Sequence, residues 1–101
     1  MFFKTELRDE ARGAEYEETD ARMFEIVSHM PGFLSFKSYT AGDGDRIAVV
    51  RFATEAALDA WRSHPEHRVV QARGRDFFYS HYWVQVCKVI REYEFWRDAQ
   101  P

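Results

Sequence analysis

The pair of β-rich runs Phe33–Thr40 (FLSFKSYT) and Arg46–Phe52 (RIAVVRF), separated only by AGDGD, constrains this chain more than any other stretch. Gly42, Asp43 and Gly44 give the backbone freedom that a tight reversal needs, so the two runs read as an antiparallel hairpin. In the second run Ile47 and Val49 point one way while Ala48, Val50 and Phe52 point the other, leaving neither face cleanly polar. A sheet apolar on both sides needs two covers. Helices of the same chain supply one, and the simplest source of the other is a second copy of the protein.

The flanking segments provide the helices. Residues 2–8, FFKTELR, alternate Phe3, Thr5 and Leu7 against Phe2, Lys4, Glu6 and Arg8, which is strand periodicity. From about Glu10 the period becomes helical, with Tyr16, Met23, Phe24, Val27 and Met30 in one stripe and most charges outside it. Thr19 and Asp20 interrupt that stripe, either because they face a cavity or because this half of the helix is wet. Pro31 and Gly32 then end the helix. Beyond the hairpin, Thr54 is placed to cap a helix carrying Ala57, Leu58 and Trp61, and Pro65 opens another, expected to run to about His81. The closing run 82–95, YWVQVCKVIREYEF, reads as a long strand; a bulge near Cys87 or Lys88 would bring Val84, Val86, Val89 and Tyr93 onto one face. Strand, helix, strand, strand, helix, strand is the ferredoxin-like α+β arrangement, an antiparallel sheet with its helices on one face. At 101 residues it forms one domain spanning 1–101, with an ordered core over about 2–95.

Several functions are excluded at this stage. A net charge of −3 and a pI near 5.8 leave no basic stripe for nucleic acid. The opening MFFKTELRDE has no signal-peptide core and no run is apolar enough to span a bilayer, so a cytoplasmic protein with no membrane partner is expected. The single Cys87 cannot form an internal disulfide and reads as a small buried hydrophobe. His64 and His67 are three apart, but Pro65 lies between them and no third ligand follows at a motif spacing, so no metal site is expected. Attention falls instead on residues 61–82, which hold three of the four histidines among many of the chain's aromatics, 17% of all residues. Aromatics at that density line cores, interfaces or pockets. Within this stretch Gly74 sits on the inward half of the helix, where close approach by a sheet residue or a ligand, or equally a break between two helical segments, would explain a residue that disfavours helices.

Three motifs, ARMFEIVSHMPGFLSF, ALDAWRSHPEHRVVQARGR and YWVQVCKVIREYEF, resemble the antibiotic biosynthesis monooxygenase family over about residues 3–95. The resemblance implies a dimeric α+β barrel, a homodimer joined through sheet faces. Its members include oxygenases that convert aromatic phenols to quinones without metal or flavin, quinol oxidases and haem-degrading enzymes. By this resemblance Trp61 takes the place of a pocket tryptophan, and His67 that of a tyrosine hydrogen-bonded to substrate, where an imidazole can accept a phenolic proton. Ala57 stands where those oxygenases carry an asparagine. The haem-degrading branch would need a histidine where this chain has Gln71, with Thr5 in place of its asparagine, which disfavours haem. The expected function is therefore a cofactor-independent monooxygenase acting on a small phenol or quinol. Trp61 and His67 would be catalytic, with Thr5, Gln71, Phe78 and Gly74 binding substrate. The alternative is a non-catalytic dimer on the same barrel that binds or senses a small molecule.

Overall fold

The computed structural model describes residues 1–99. Four strands, β1 (Phe2–Leu7), β2 (Phe33–Thr40), β3 (Arg46–Phe52) and β4 (Tyr79–Gln85), form one sheet in the order β2-β3-β1-β4, with every pairing antiparallel. Helices α1 (Ala14–Ser28), α2 (Glu55–Arg62) and α3 (Pro65–Arg73) complete a ferredoxin-like α+β fold. The hairpin strands have the bounds expected from their alternation.

Register decides what each face carries, because residues directly opposite in an antiparallel pair project to the same side. Phe3 lies opposite Ala48 and Val84, and Thr5 opposite Arg46 and Tyr82. Phe3, Thr5, Ala48 and Val50 face the helical layer, where Val50 is buried. The reverse face carries Phe2, Lys4, Ile47, Val49 and Trp83, and no helix among the described residues covers it. The hairpin's two apolar faces thus have different fates, one packed and one half-buried.

Local signals account for most helix boundaries. Gly13, at φ +146°, opens α1, and Glu15 and Glu17 place negative charge on its first turn, where the helix dipole favours it. The helix therefore starts later than Glu10, which lies in a separate 3-10 turn, Asp9–Ala11. At its other end the chain turns through Gly32 at φ +83°; a Cβ there would lie 2.6 Å from that of Ala57. Thr54 caps α2, its hydroxyl accepting from the Ala57 amide at 3.1 Å. His64 caps α3, its Nδ1 accepting from the Glu66 amide at 3.2 Å, with Pro65 in the first turn. Two arginine–glutamate pairs, Arg22–Glu66 and Arg73–Glu15, each at 2.9 Å, lash α1 antiparallel to α3. Leu58, Trp61, Phe78, Val27 and Val50 form the buried core beneath them.

The C-terminal third departs from expectation. α3 ends at Arg73, and a π-helical turn over Gly74–Phe78 unwinds it into β4, so His81 is a strand residue rather than a helix end. His81 sits opposite Glu6, its Nδ1 3.3 Å from the carboxylate. The closing strand is also shorter than expected. It stops at Gln85, its irregularity lies between Glu6 and Leu7 instead of near Cys87 or Lys88, and residues 86–96 continue without pairing. Along this arm Val89, Ile90, Tyr93 and Phe95 are exposed, Ile90 to 92%. Cys87 is exposed as well, contrary to its reading as a buried hydrophobe. The arm helps to bring the radius of gyration to 15.4 Å, above the roughly 13 Å of a compact domain of this size. An apolar strand period needs a neighbouring strand to pair with, and the β1–β4 register ends with Phe2 opposite Gln85.

Candidate active site

Between the sheet and the helical layer lies a cavity of about 130 Å3. Its floor is Phe3, Thr5, Ala48 and Val50; α1 contributes Met23 and Val27, and α2 and α3 contribute Trp61, His67, Val70 and Gln71. Phe78, fully buried, closes it from the π-helical turn, its ring edge-on to Tyr16 with centroids 5.3 Å apart. The structure thus brings Trp61, His67, Thr5, Gln71 and Phe78 around one space. Gly74 is not among the lining residues. It is buried against the Tyr79 ring, which a Cβ at Gly74 would meet at 2.8 Å, so the close approach at this glycine comes from the protein's own side chain.

The most ordered pair in the site is Trp61 and His67. The imidazole stacks on the indole with centroids 3.9 Å apart and planes 10° from parallel. His67 Nδ1 lies 3.0 Å from the Trp61 carbonyl oxygen. A carbonyl only accepts, so this bond places the proton on Nδ1 and leaves the Nε2 lone pair of the neutral ring uncommitted. Burial pushes the imidazole pKa below its usual value, outweighing the carbonyl that would favour the cation. The result is a neutral histidine held in one tautomer with a basic nitrogen to offer. His64 and His81 do not join it: one caps α3 and the other pairs with Glu6. No group of three or more candidate metal ligands occurs among the described residues.

The sequence reading missed a second polar set. The hydroxyls of Tyr16 and Tyr79 are 3.3 Å apart, and burial raises both phenols, that of Tyr79 well above its ordinary range. Thr19, Asp20, Ser38 and Arg46 also line the cavity. Burial raises the Asp20 carboxyl, with the Arg46 guanidinium pulling against that shift. Two signals were available: Thr19 and Asp20 break the apolar stripe of α1, and Arg46 alternates onto the inward face with Ala48 and Val50. The break at Thr19 and Asp20 has the cavity as its cause.

A ferredoxin-like sheet with a part-polar aromatic cavity beneath one helical layer is the class of α+β domain that the fold and the site define. Residues 3–73 match the family model for antibiotic biosynthesis monooxygenase, and the chain belongs to that family. It is 38% identical over 77 residues to the uncharacterized protein YqjZ of Bacillus subtilis (strain 168), spanning 76% of this chain and 68% of YqjZ. Among solved structures it resembles Rv0793 of Mycobacterium tuberculosis, with a TM-score of 0.76 and 23% identity over 92% of this chain and 95% of that one. It also resembles SnoaB of Streptomyces nogalater, a cofactor-independent oxygenase, with a TM-score of 0.61 and 16% identity over 90% and 94% of the two chains. At these identities the two structures speak to the fold. No helix among the described residues is long and apolar enough to cross a membrane.

Proposed function

We propose that this protein is a cofactor-independent monooxygenase that oxidises a small phenol or quinol with molecular oxygen. The observation that carries the proposal is the His67 tautomer, a buried neutral imidazole with Nε2 available beside the Trp61 indole. In this reading Nε2 takes the phenolic proton. The phenolate then places electron density on a ring carbon, which reduces oxygen directly. One oxygen atom becomes the new carbonyl of a quinone, and the other leaves as water with the two substrate hydrogens. Trp61 and Phe78 bound the ring, while Thr5 and Gln71 orient its oxygens. Family membership and the fold shared with SnoaB support the chemistry. Cavity size limits the substrate: about 130 Å3 is close to the roughly 150 Å3 apolar cavity that holds a benzene. One ring fits inside, and anything larger projects from the mouth.

Oxygen uptake with a panel of phenols, hydroquinones and anthrones tests this. Turnover should fall sharply in His67→Ala and in Trp61→Phe. Ligand binding without uptake across the whole panel would replace the oxygenase with a small-molecule-binding protein.

We infer further that the working form is a homodimer joined sheet to sheet. Phe2, Ile47, Val49 and Trp83 lie on the face that no helix among the described residues covers, and the exposed apolar arm of residues 86–96 leaves from its edge. A second copy offers both a matching face and a strand edge.

A further inference from the structure

We propose that the ligand of this site is an aromatic acid, its ring in the inner cavity and its carboxylate held at the mouth by Arg46. The inference rests on reading the cavity as a phenol site and adds the group at the other end of the molecule. A second hollow, of about 370 Å3, adjoins the first, and the two share Tyr16, Asp20 and Arg46. The inner cavity runs from Arg46 to Val50, four residues of β3 or roughly 13 Å. Arg46 is exposed and lines both hollows, so it stands where the enclosed space meets the outer one. His67 reaches the same space from the helical layer and Arg46 from the sheet. A ligand lying between them meets a base with one part and a cation with another.

Arg46 is also uncommitted. Arg22 and Arg73 are each bound twice by a glutamate, and Arg8, Arg12 and Arg51 each have an acidic partner. The Arg46 guanidinium makes no ion pair or hydrogen bond with any described residue. Asp20 acts on it electrostatically without coming within ion-pair distance. Among the described residues Arg46 is the one arginine or lysine lining the inner cavity. A guanidinium presents a planar fork of donors that matches a carboxylate with two parallel bonds, and weak hydration lets it do so at a partly apolar mouth. Asp20 faces the same position and would repel an acid, so it opposes binding rather than creating it.

The test is calorimetric titration of the full-length protein at neutral pH with 4-hydroxybenzoate, 4-hydroxyphenylacetate and 3-(4-hydroxyphenyl)propanoate, each beside its methyl ester. At least one acid should bind about tenfold or more tighter than its ester. Arg46→Gln should abolish that preference by weakening the acid to the affinity of its ester, and Arg46→Lys, which keeps the charge and loses the fork, should restore part of it. In Asp20→Asn the preference should persist or grow. Equal affinity for every acid and its ester, no binding of any acid, a preference that survives Arg46→Gln, or its loss in Asp20→Asn would each overturn the proposal. Oxygen uptake separates this inference from the one beneath it. Oxidation of neutral phenols without acid preference refutes the Arg46 subsite alone, whereas acid preference without oxidation of any phenol refutes the oxygenase alone.

Discussion

The His67 ring lies on the Trp61 indole, 3.9 Å between centroids, while its Nδ1 is 3.0 Å from the carbonyl oxygen of the same tryptophan. One residue therefore fixes both the plane and the tautomer of the other. Trp61 ends its apolar run on α2, and the turn through Ser63, His64 and Pro65 carries the chain back so that the next helix sets an imidazole over the indole.

That arrangement predicts a measurable protonation state. Nitrogen-15 NMR should show Nδ1 protonated and Nε2 bare in His67, with a titration midpoint below the usual value of about 6.5. A bare Nδ1, or a midpoint above that value, would remove the basis for His67 as the base.

The same shift makes stability depend on pH. His67 resists protonation more in the folded than in the unfolded chain, so its contribution is complete above the unfolded midpoint of about 6.5 and is lost as pH falls through the lower folded value. Asp20 has the opposite sign. Its raised folded pKa favours the folded state below about 3.9 and opposes it as pH rises through the folded value. Urea midpoints at fixed protein concentration should show His67→Gln losing less stability than wild type on acidification from about pH 7.5 to 5, and Asp20→Asn more stable than wild type near neutrality. A wild-type-like acid profile in His67→Gln would contradict the desolvation argument.

Gly74 gives a test of packing against propensity. Alanine should favour a helical position over glycine by about 1 kcal/mol. Here its Cβ would meet the Tyr79 ring at 2.8 Å, and overpacking of this kind costs roughly 1–3 kcal/mol. Gly74→Ala should therefore lower the unfolding midpoint in the wild-type background and raise it in Tyr79→Ser, where the ring is gone. The same sign in both backgrounds would show that Tyr79 is not the obstacle.

Truncation of large core side chains should be costly. Phe78 and Trp61 are 1% and 5% exposed, and replacing either with alanine should remove roughly 3–5 kcal/mol of stability. Trp61→Phe retains most of the buried area, so it should lose far less stability than Trp61→Ala while still impairing turnover. This separates the packing of the indole from its part in the site.

Sedimentation checks the second cover. The full chain should self-associate at micromolar concentration, and truncation after Gln85 should weaken that association by removing the exposed apolar arm. A monomer at every concentration would leave the outward sheet face unexplained.

Much of the fold could be read locally, because its causes are local. Thr54 caps α2 with its own hydroxyl, Pro65 sits at the start of α3 where its missing amide costs nothing, and the alternation around AGDGD marks both hairpin strands. The reading failed where a tertiary contact overrode a local preference. Residues 74–81 continue a helical pattern, yet the Tyr79 ring seated on Gly74 and the pairing of β4 with β1 end the helix at Arg73. Residues 86–96 carry strand chemistry but pair with no strand among the described residues. Trp61, His67, Thr5, Gln71 and Phe78 were all identified from the sequence and all line the cavity. Tyr16, Arg46 and Tyr79 were not identified as site residues, and the polar break at Asp20 was left open between a cavity and a wet helix half, since these residues come from α1, β3 and β4 and meet only when the sheet and helices are assembled.

The sequence by itself determined the order of elements, the caps and turns that bound most of them, and a hairpin with apolar residues on both faces. Each of these follows from interactions within a few residues or from a period along one element. Only the tertiary structure decided where α3 gives way to β4, which nitrogen of His67 is left free, and that Arg46 rather than Gly74 stands at the cavity. Those outcomes depend on distances between residues far apart in the chain, and a linear pattern carries no record of such distances.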